Sequence, residues 1–130
     1  AQALDFPWQP VTVNQVEFHP FLYQKRLLDF CKKRRVVLQA YCPLARGAVN
    51  ADNTLCDVAQ KHGATPTQAA LRWLLHHGIS PLPRSRSYKH IEENLASCDI
   101  TLDEEDIQRI DRIKQVTRLV DPAGVRFDPL

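Results

Sequence analysis

The sequence predicts an α/β fold built on a parallel sheet, and three observations predict it. Short β-branched or apolar runs alternate along the chain with amphipathic helical stretches, the order that βαβ units produce. The run Val36-Val37-Leu38-Gln39-Ala40-Tyr41 is apolar enough for a strand covered on both faces, as strands of a parallel sheet are. The stretch beginning at Thr65 opens with a nearly complete set of helix start signals, so at least one helix is firmly placed between strands.

Taken in order, residues 1–10 hold Pro7 and Pro10 around Trp8 and read as a linker or the end of a preceding element. Val11 to Glu17 has the β-branched alternation of a strand, which Pro20 stops. Gln24 to Arg35 reads as an amphipathic helix with Leu27, Leu28 and Cys31 on one face. Its basic end, Lys32-Lys33-Arg34-Arg35, meets the negative end of the helix dipole and reads as a solvated cap. The strand Val36 to Tyr41 is bounded by Pro43 and Gly47, and a loop runs on to about Asn53. Leu55 to His62 is helical, with Gly63 as its stop.

Thr65 can then cap a new helix, Pro66 suits its first position, and Gln68 can reach back to the cap's free N–H. Ala69, Leu71, Trp73, Leu74 and Leu75 carry its apolar pattern to Gly78. Ile79 to Pro83 reads as a third strand, Tyr88 to Ser97 as a helix, and Asp103 to Val116 as a last helix with Asp103 at its N-cap. From Thr117 the tail is irregular.

Composition narrows the function classes. With 44% hydrophobic and 25% charged residues the chain is that of a folded domain, not a disordered one. Seventeen basic and fifteen acidic residues give a net charge of +2, too balanced for a general nucleic-acid or anionic-membrane surface. The four cysteines show neither metal-binding spacing nor disulfide-scaffold density, so reduced thiols in a cytoplasmic protein are expected and a metal site is not. No apolar run approaches the ~18 residues of a membrane span, and no signal-peptide pattern opens the sequence.

Four segments then stand in a telling order: Asn14-Gln15-Val16-Glu17-Phe18-His19-Pro20; Ala40-Tyr41-Cys42-Pro43-Leu44-Ala45-Arg46-Gly47; Thr65-Pro66-Thr67-Gln68 with Leu71-Arg72-Trp73; and Leu82-Pro83-Arg84-Ser85 with Ile91-Glu92-Glu93-Asn94. In order and spacing they resemble the aldo-keto reductases over residues 11–116. The ending Arg118-Leu119-Val120-Asp121-Pro122 resembles the short tails of bacterial members that reduce 2,5-diketo-gluconate, so a complete C-terminus is expected.

The resemblance implies the C-terminal half of a (β/α)8 TIM barrel, its three predicted strands being strands six to eight. Such a barrel needs ~250 residues, and this chain has 130. Residues 11–116 would form the partial barrel and 117–130 a C-terminal tail. NADPH would bind at the C-terminal ends of the strands, the face on which barrel enzymes place their sites.

Residue by residue, the resemblance puts Gln15 on the nicotinamide carboxamide, where a primary amide can both donate and accept, and Tyr41 flat against the nicotinamide ring. Without the surrounding motif, Gln15 would read as a polar strand-end residue bonded to backbone and Tyr41 as a core tyrosine at a strand end. Cys42, Leu44 and Arg46 fall on the loop bordering the pyrophosphate. Cys42 stands where serine is usual, and a thiol donates a weaker hydrogen bond. Arg46 is open to a role as a phosphate clamp or as an ordinary exposed arginine. Arg84 replaces the lysine that usually meets the adenosine 2′-phosphate, with a fork suited to bidentate contact, and Ser85 adds a hydroxyl, so NADPH is expected over NADH.

His90 stands where a second arginine is common and is otherwise an exposed helix histidine, while Glu93 and Asn94 match the pair bordering the adenine. Positions 90, 93 and 94 share one helical face. His19 is expected to support the turn at Pro20, and His62, His76 and His77 to sit at helix C-termini.

The family's acid is a tyrosine tuned by a lysine, an aspartate and a histidine, all in the barrel's first half. This chain is expected to lack them, since Tyr23 and Tyr88 have no lysine and carboxylate at suitable spacing. No catalytic residue is therefore assigned, and the isolated chain is expected to be inactive. A small carbonyl substrate is expected only with a complementing N-terminal half. Half a barrel would also expose strand edges, favouring self-association. The alternative is a non-catalytic nucleotide-binding or interaction module.

Overall fold

The computed structural model describes residues 11–120; the segment 1–10 and the residues from Asp121 onward, including the expected linker and most of the tail, lie outside the described residues. The elements follow in the order β1 (Val13–Glu17), α1 (Lys25–Lys33), β2 (Val37–Tyr41), α2 (Asn53–Lys61), α3 (Pro66–His76), β3 (Ser80–Pro81), α4 (Tyr88–Ala96) and α5 (Glu104–Asp111). Short 3-10 turns occupy Ala45–Ala51 and Ser97–Asp99.

The three strands form one sheet in the order β1-β2-β3, and both pairings are parallel. Val13 pairs with Val37, Gln15 with Gln39 and Glu17 with Tyr41, so the C-terminal ends of β1 and β2 lie side by side. Consecutive parallel strands require a helical crossover, which α1 supplies for the first pair and α2 with α3 for the second.

One face of the sheet is covered and the other is not. Leu38 and Ala40 of β2 are buried in the core with Phe18, Trp73, Leu74 and Ile79. The alternate positions Val13 and Val37 stay 45% and 49% exposed, because a strand sends successive side chains to opposite faces. A parallel sheet with helices on one face and the other face open is the arrangement of a partial barrel.

Helix boundaries differ from expectation where a cap intervened. Asp52, not a residue near Leu55, starts α2 by accepting the Leu55 N–H at 2.9 Å. The capping box at Thr65 and Gln68 is formed from both sides, at 3.2 and 3.0 Å. A second box starts α5, where Asp103 accepts from the Asp106 N–H at 2.9 Å and Asp106 accepts from the Asp103 N–H at 3.3 Å. The last helix stops at Asp111 rather than near Val116, after Ile107 and Ile110 have reached the core. The third strand shrinks to Ser80–Pro81, since a proline has no N–H to extend the ladder.

Basic residues at helix ends find acids on the neighbouring helix. Lys61 Nζ lies 2.6 Å from Asp103 and 3.0 Å from Asp106, and His62 Nε2 lies 2.6 Å from Asp106. These contacts tie α5 across the end of α2. His77, following α3, meets Asp111 at 2.9 Å, and Trp73 Nε1 donates to the same carboxylate at 2.8 Å.

Candidate functional site

Everything beyond the strand tips gathers at one end of the sheet. The segment after β2 bends sharply: Cys42, Ala45 and Arg46 adopt φ of 51°, 47° and 54°, and Gly47 has φ of 92°. Left-handed backbone at three non-glycine positions is strained, and such strain clusters where a ligand or a switch needs it. Alternation of right- and left-handed residues, as at Leu44 (φ −101°, ψ 12°) and Ala45, is also the geometry that turns backbone N–H groups toward an anion. The turn is anchored by Val49, fully buried, and by Asn50, whose Oδ1 accepts from the Thr67 hydroxyl at 3.0 Å.

Beside this turn lies a cleft of about 430 Å³. Six of the ten candidate residues line it: Leu44, Arg84, Ser85, His90, Glu93 and Asn94. They come from three separate segments, the turn after β2, the loop after β3 and the first two turns of α4. The Leu82 N–H donates to the Ala40 carbonyl at 3.0 Å, which carries the chain from β3 directly to Arg84. Gln68 Nε2 donates to the Glu93 carbonyl at 3.1 Å, holding the start of α3 against α4.

Asn50, Thr65, Pro66 and Thr67 complete the wall. Sequence reasoning used Thr65 and Pro66 only as helix start signals, and it missed Asn50 and Thr67 because nothing in a linear motif says that a cap also faces a cavity. Arg84 is exposed and has no ion-pair partner among the described residues, so its guanidinium is available to an anion. The Ser85 hydroxyl accepts from the Ser87 N–H at 3.1 Å and donates to the Ser87 carbonyl at 3.2 Å, so a ligand would compete with this local turn.

The other four candidates lie outside the cleft lining. Gln15, on the open face of β1, donates to Gln39 Oε1 at 3.2 Å. Tyr41 ends β2 on the same face and is half-buried. Burial, with the charge of Glu17 behind it, pushes the Tyr41 hydroxyl above its ordinary value. Cys42 is half-buried next to it. Arg46 is exposed and donates to the Leu119 carbonyl at 3.4 Å.

Two residues that sequence reasoning left in minor roles are among the most buried polar groups. Glu17 is 1% exposed and His19 is fully buried, with His19 Nε2 3.0 Å from Glu17 Oε1. Burial works against ionisation of Glu17, but the N–H groups of Leu119 and Val120 and the contact with His19 outweigh it and hold the carboxyl below its ordinary value. Burial pushes the His19 imidazole below its ordinary value in spite of Glu17. His19 supports the Pro20 turn as expected, its carbonyl accepting from the Leu22 N–H at 2.8 Å, and its side chain in addition meets Glu17.

Tyr23 is no candidate acid. Burial, reinforced by Asp111 and Asp29, pushes its hydroxyl up to about 12, and it packs edge-on against Trp73 with centroids 5.2 Å apart. Among the described residues no group of three or more His, Cys, Asp or Glu is arranged to hold a metal ion, and no helix is long and apolar enough to cross a membrane.

Comparison with known proteins bears on this geometry. The Aldo/keto reductase family matches residues 2–115. Glyoxal reductase of Bacillus subtilis is 40% identical over 107 residues, which cover 82% of this chain and 39% of the reductase. Methylglyoxal reductase DkgB of Salmonella typhi is 33% identical over 115 residues, 88% of this chain and 43% of its own length. Among solved structures, MGS-M4, an aldo-keto reductase from a Medee basin deep-sea metagenome library, superposes with a TM-score of 0.88 at 33% identity, covering 95% of this chain and 48% of its own. A Gox0644 variant in complex with NADPH gives a TM-score of 0.84 at 32% identity, covering 97% of this chain and 47% of its own. The chain thus spans less than half the length of each of these relatives.

Proposed function

The chain belongs to the aldo/keto reductase family of oxidoreductases, as the match over residues 2–115 shows, and from that premise we propose that it is the NADPH-holding portion of a carbonyl reductase. The observation that supports this most is the convergence of Leu44, Arg84, Ser85, His90, Glu93 and Asn94 on one cleft. The family resemblance gives Leu44 to the loop bordering the pyrophosphate and Arg84, Ser85, His90, Glu93 and Asn94 to the adenosine end of NADPH, and these residues come from three distant segments.

In this reading the residues divide the cofactor by chemistry. Arg84, exposed and without a carboxylate partner among the described residues, takes the 2′-phosphate through its planar fork. Ser85 adds a hydroxyl, Glu93 and Asn94 border the adenine, and His90 lies at the cleft rim. The strained turn at Cys42, Leu44 and Ala45 presents backbone N–H groups to the pyrophosphate. Gln15 and Tyr41, adjacent on the open face of β1 and β2, hold the nicotinamide, the amide fixing its carboxamide and the ring covering one side. NADPH supplies a hydride when bound; the chain's residues orient it and leave one ring face toward the substrate.

Among the described residues, neither Tyr23 nor Tyr41 offers a ready proton to this end. Tyr23 is packed among aromatics with its hydroxyl pushed up to about 12, and Tyr41 is likewise pushed up, so neither yields a proton readily at neutral pH. The proton for the alcohol therefore comes from a complementing N-terminal half, and the substrate is a small carbonyl of the glyoxal or keto-sugar class. NADPH oxidation with methylglyoxal, followed by absorbance, tests this. The full chain alone is expected to be silent, and activity is expected on adding the N-terminal half of a related barrel. Turnover by the chain alone would overturn the missing-acid assignment; NADPH binding without recovery would leave a nucleotide-binding module.

A further inference from the structure

Beyond α5, residues 117–120 return to the C-terminal end of β1. The Thr117 N–H donates to the Phe21 carbonyl at 2.8 Å. Two residues on, the Leu119 N–H donates to Glu17 Oε1 at 2.6 Å and the Val120 N–H to Glu17 Oε2 at 2.9 Å. Glu17 ends β1 on the face that carries Gln15, and its register partner is Tyr41. Arg118 lies near enough for its charge to act on both Tyr41 and His19.

We propose that Glu17 is a positioning residue for the nicotinamide end of the site, fastening residues 119–120 beside Tyr41 so that the tail becomes a fixed wall there. The proposal rests on the cofactor reading given above. A carboxylate suits the task because it presents two acceptor oxygens and no hydrogen to two successive N–H groups. A glutamine could accept at one oxygen only, and its amide hydrogens would oppose the second N–H.

The surroundings give Glu17 little other purpose. Burying an ionised carboxylate is costly unless it is fully hydrogen-bonded, and here its recorded partners are the two tail amides and His19 Nε2. His19 is itself fully buried and its Nδ1 has no hydrogen-bond partner. A buried histidine that leaves one nitrogen unsatisfied in order to orient a carboxylate marks a site that is over-determined, and such sites accompany function. Arg46 adds a hold from the other side by donating to the Leu119 carbonyl, so the tail links the end of β1 to the strained turn after β2.

Titration calorimetry of the full chain with NADPH and with 2′,5′-ADP separates the two ends of the site. Glu17→Gln is expected to weaken NADPH about five-fold, the loss of roughly one hydrogen-bond's worth of order, and to leave 2′,5′-ADP unchanged. The emission of bound NADPH should shift toward that of the free cofactor. Val120→Pro removes one donor from the tail side at a residue outside the core cluster, and it should give the same split. Equal weakening of both ligands by both variants would reduce Glu17 to a structural role and overturn the proposal, as would unchanged NADPH binding in both. If the wild-type chain binds neither ligand, the cofactor reading falls and takes this inference with it, an outcome distinct from wild-type binding with silent variants.

Discussion

Arg84 shows what a single side chain can decide. It is exposed, unpaired among the described residues, and at the rim of the cleft with Ser85 and His90. Charge-assisted contact with a phosphate is worth more than an ordinary hydrogen bond, but solvent screens an exposed pair. Arg84→Ala should therefore cost about ten-fold in NADPH affinity, or roughly 1.4 kcal/mol, while NADH binding, which lacks the 2′-phosphate, stays the same; paired calorimetric titrations check both. Arg84 came into view through the resemblance of Leu82-Pro83-Arg84-Ser85 to a family segment, a stretch short enough to be read locally. Glu17 was not. Its partners Leu119 and Val120 lie 102 and 103 residues away, and no spacing rule spans that distance. Arg46 was half legible: its place in the turn was foreseen, its bond to Leu119 was not.

At the scale of elements, α3 was the most readable because every signal that starts it is local. Thr65, Pro66 and Gln68 lie within one turn, and the capping box forms as expected. Thr65→Ala should destabilise the chain by about 1 kcal/mol, read as a lower denaturant midpoint with unchanged slope, and because Thr65 also lines the cleft, nucleotide affinity should fall with it. Elements whose limits depend on distant packing were less readable. The last helix ends at Asp111 once Ile110 is in the core, although its helical pattern runs on. The third strand is reduced to Ser80–Pro81 because a neighbouring strand, not the sequence, decides which residues pair. The turn at Ala45–Ala51 was foreseen only as a loop; left-handed Ala45 and Arg46 carry no glycine to announce them.

At the scale of the whole molecule, the parallel sheet follows from alternation of strand and helix and was legible; its one-sided cover was not, because the apolar run at β2 suggested cover on both faces while Val13 and Val37 leave the second face open. What the sheet leaves open is equally informative. Val13, Val37 and Leu82 remain 45%, 49% and 41% exposed, and α4 presents Tyr88, Ile91 and Leu95 at 76%, 51% and 71%. Apolar surface of this kind on a chain spanning less than half its relatives calls for a cover. In the proposed function that cover is the complementing half of a barrel; without it, self-association through the edges of β1 and β3 is what unpaired strands favour.

The central claim is that one NADPH molecule stretches from the cleft at Arg84 to the strand tips at Gln15 and Tyr41. Titrating NADPH into the isotope-labelled full chain and following the backbone amide resonances tests it directly. The account predicts saturable shifts at Arg84, Ser85, Glu93 and Asn94 together with Gln15 and Tyr41, and none along the basic end of α1. Shifts confined to Lys32, Lys33, Arg34 and Arg35, or no shifts at all, would contradict it.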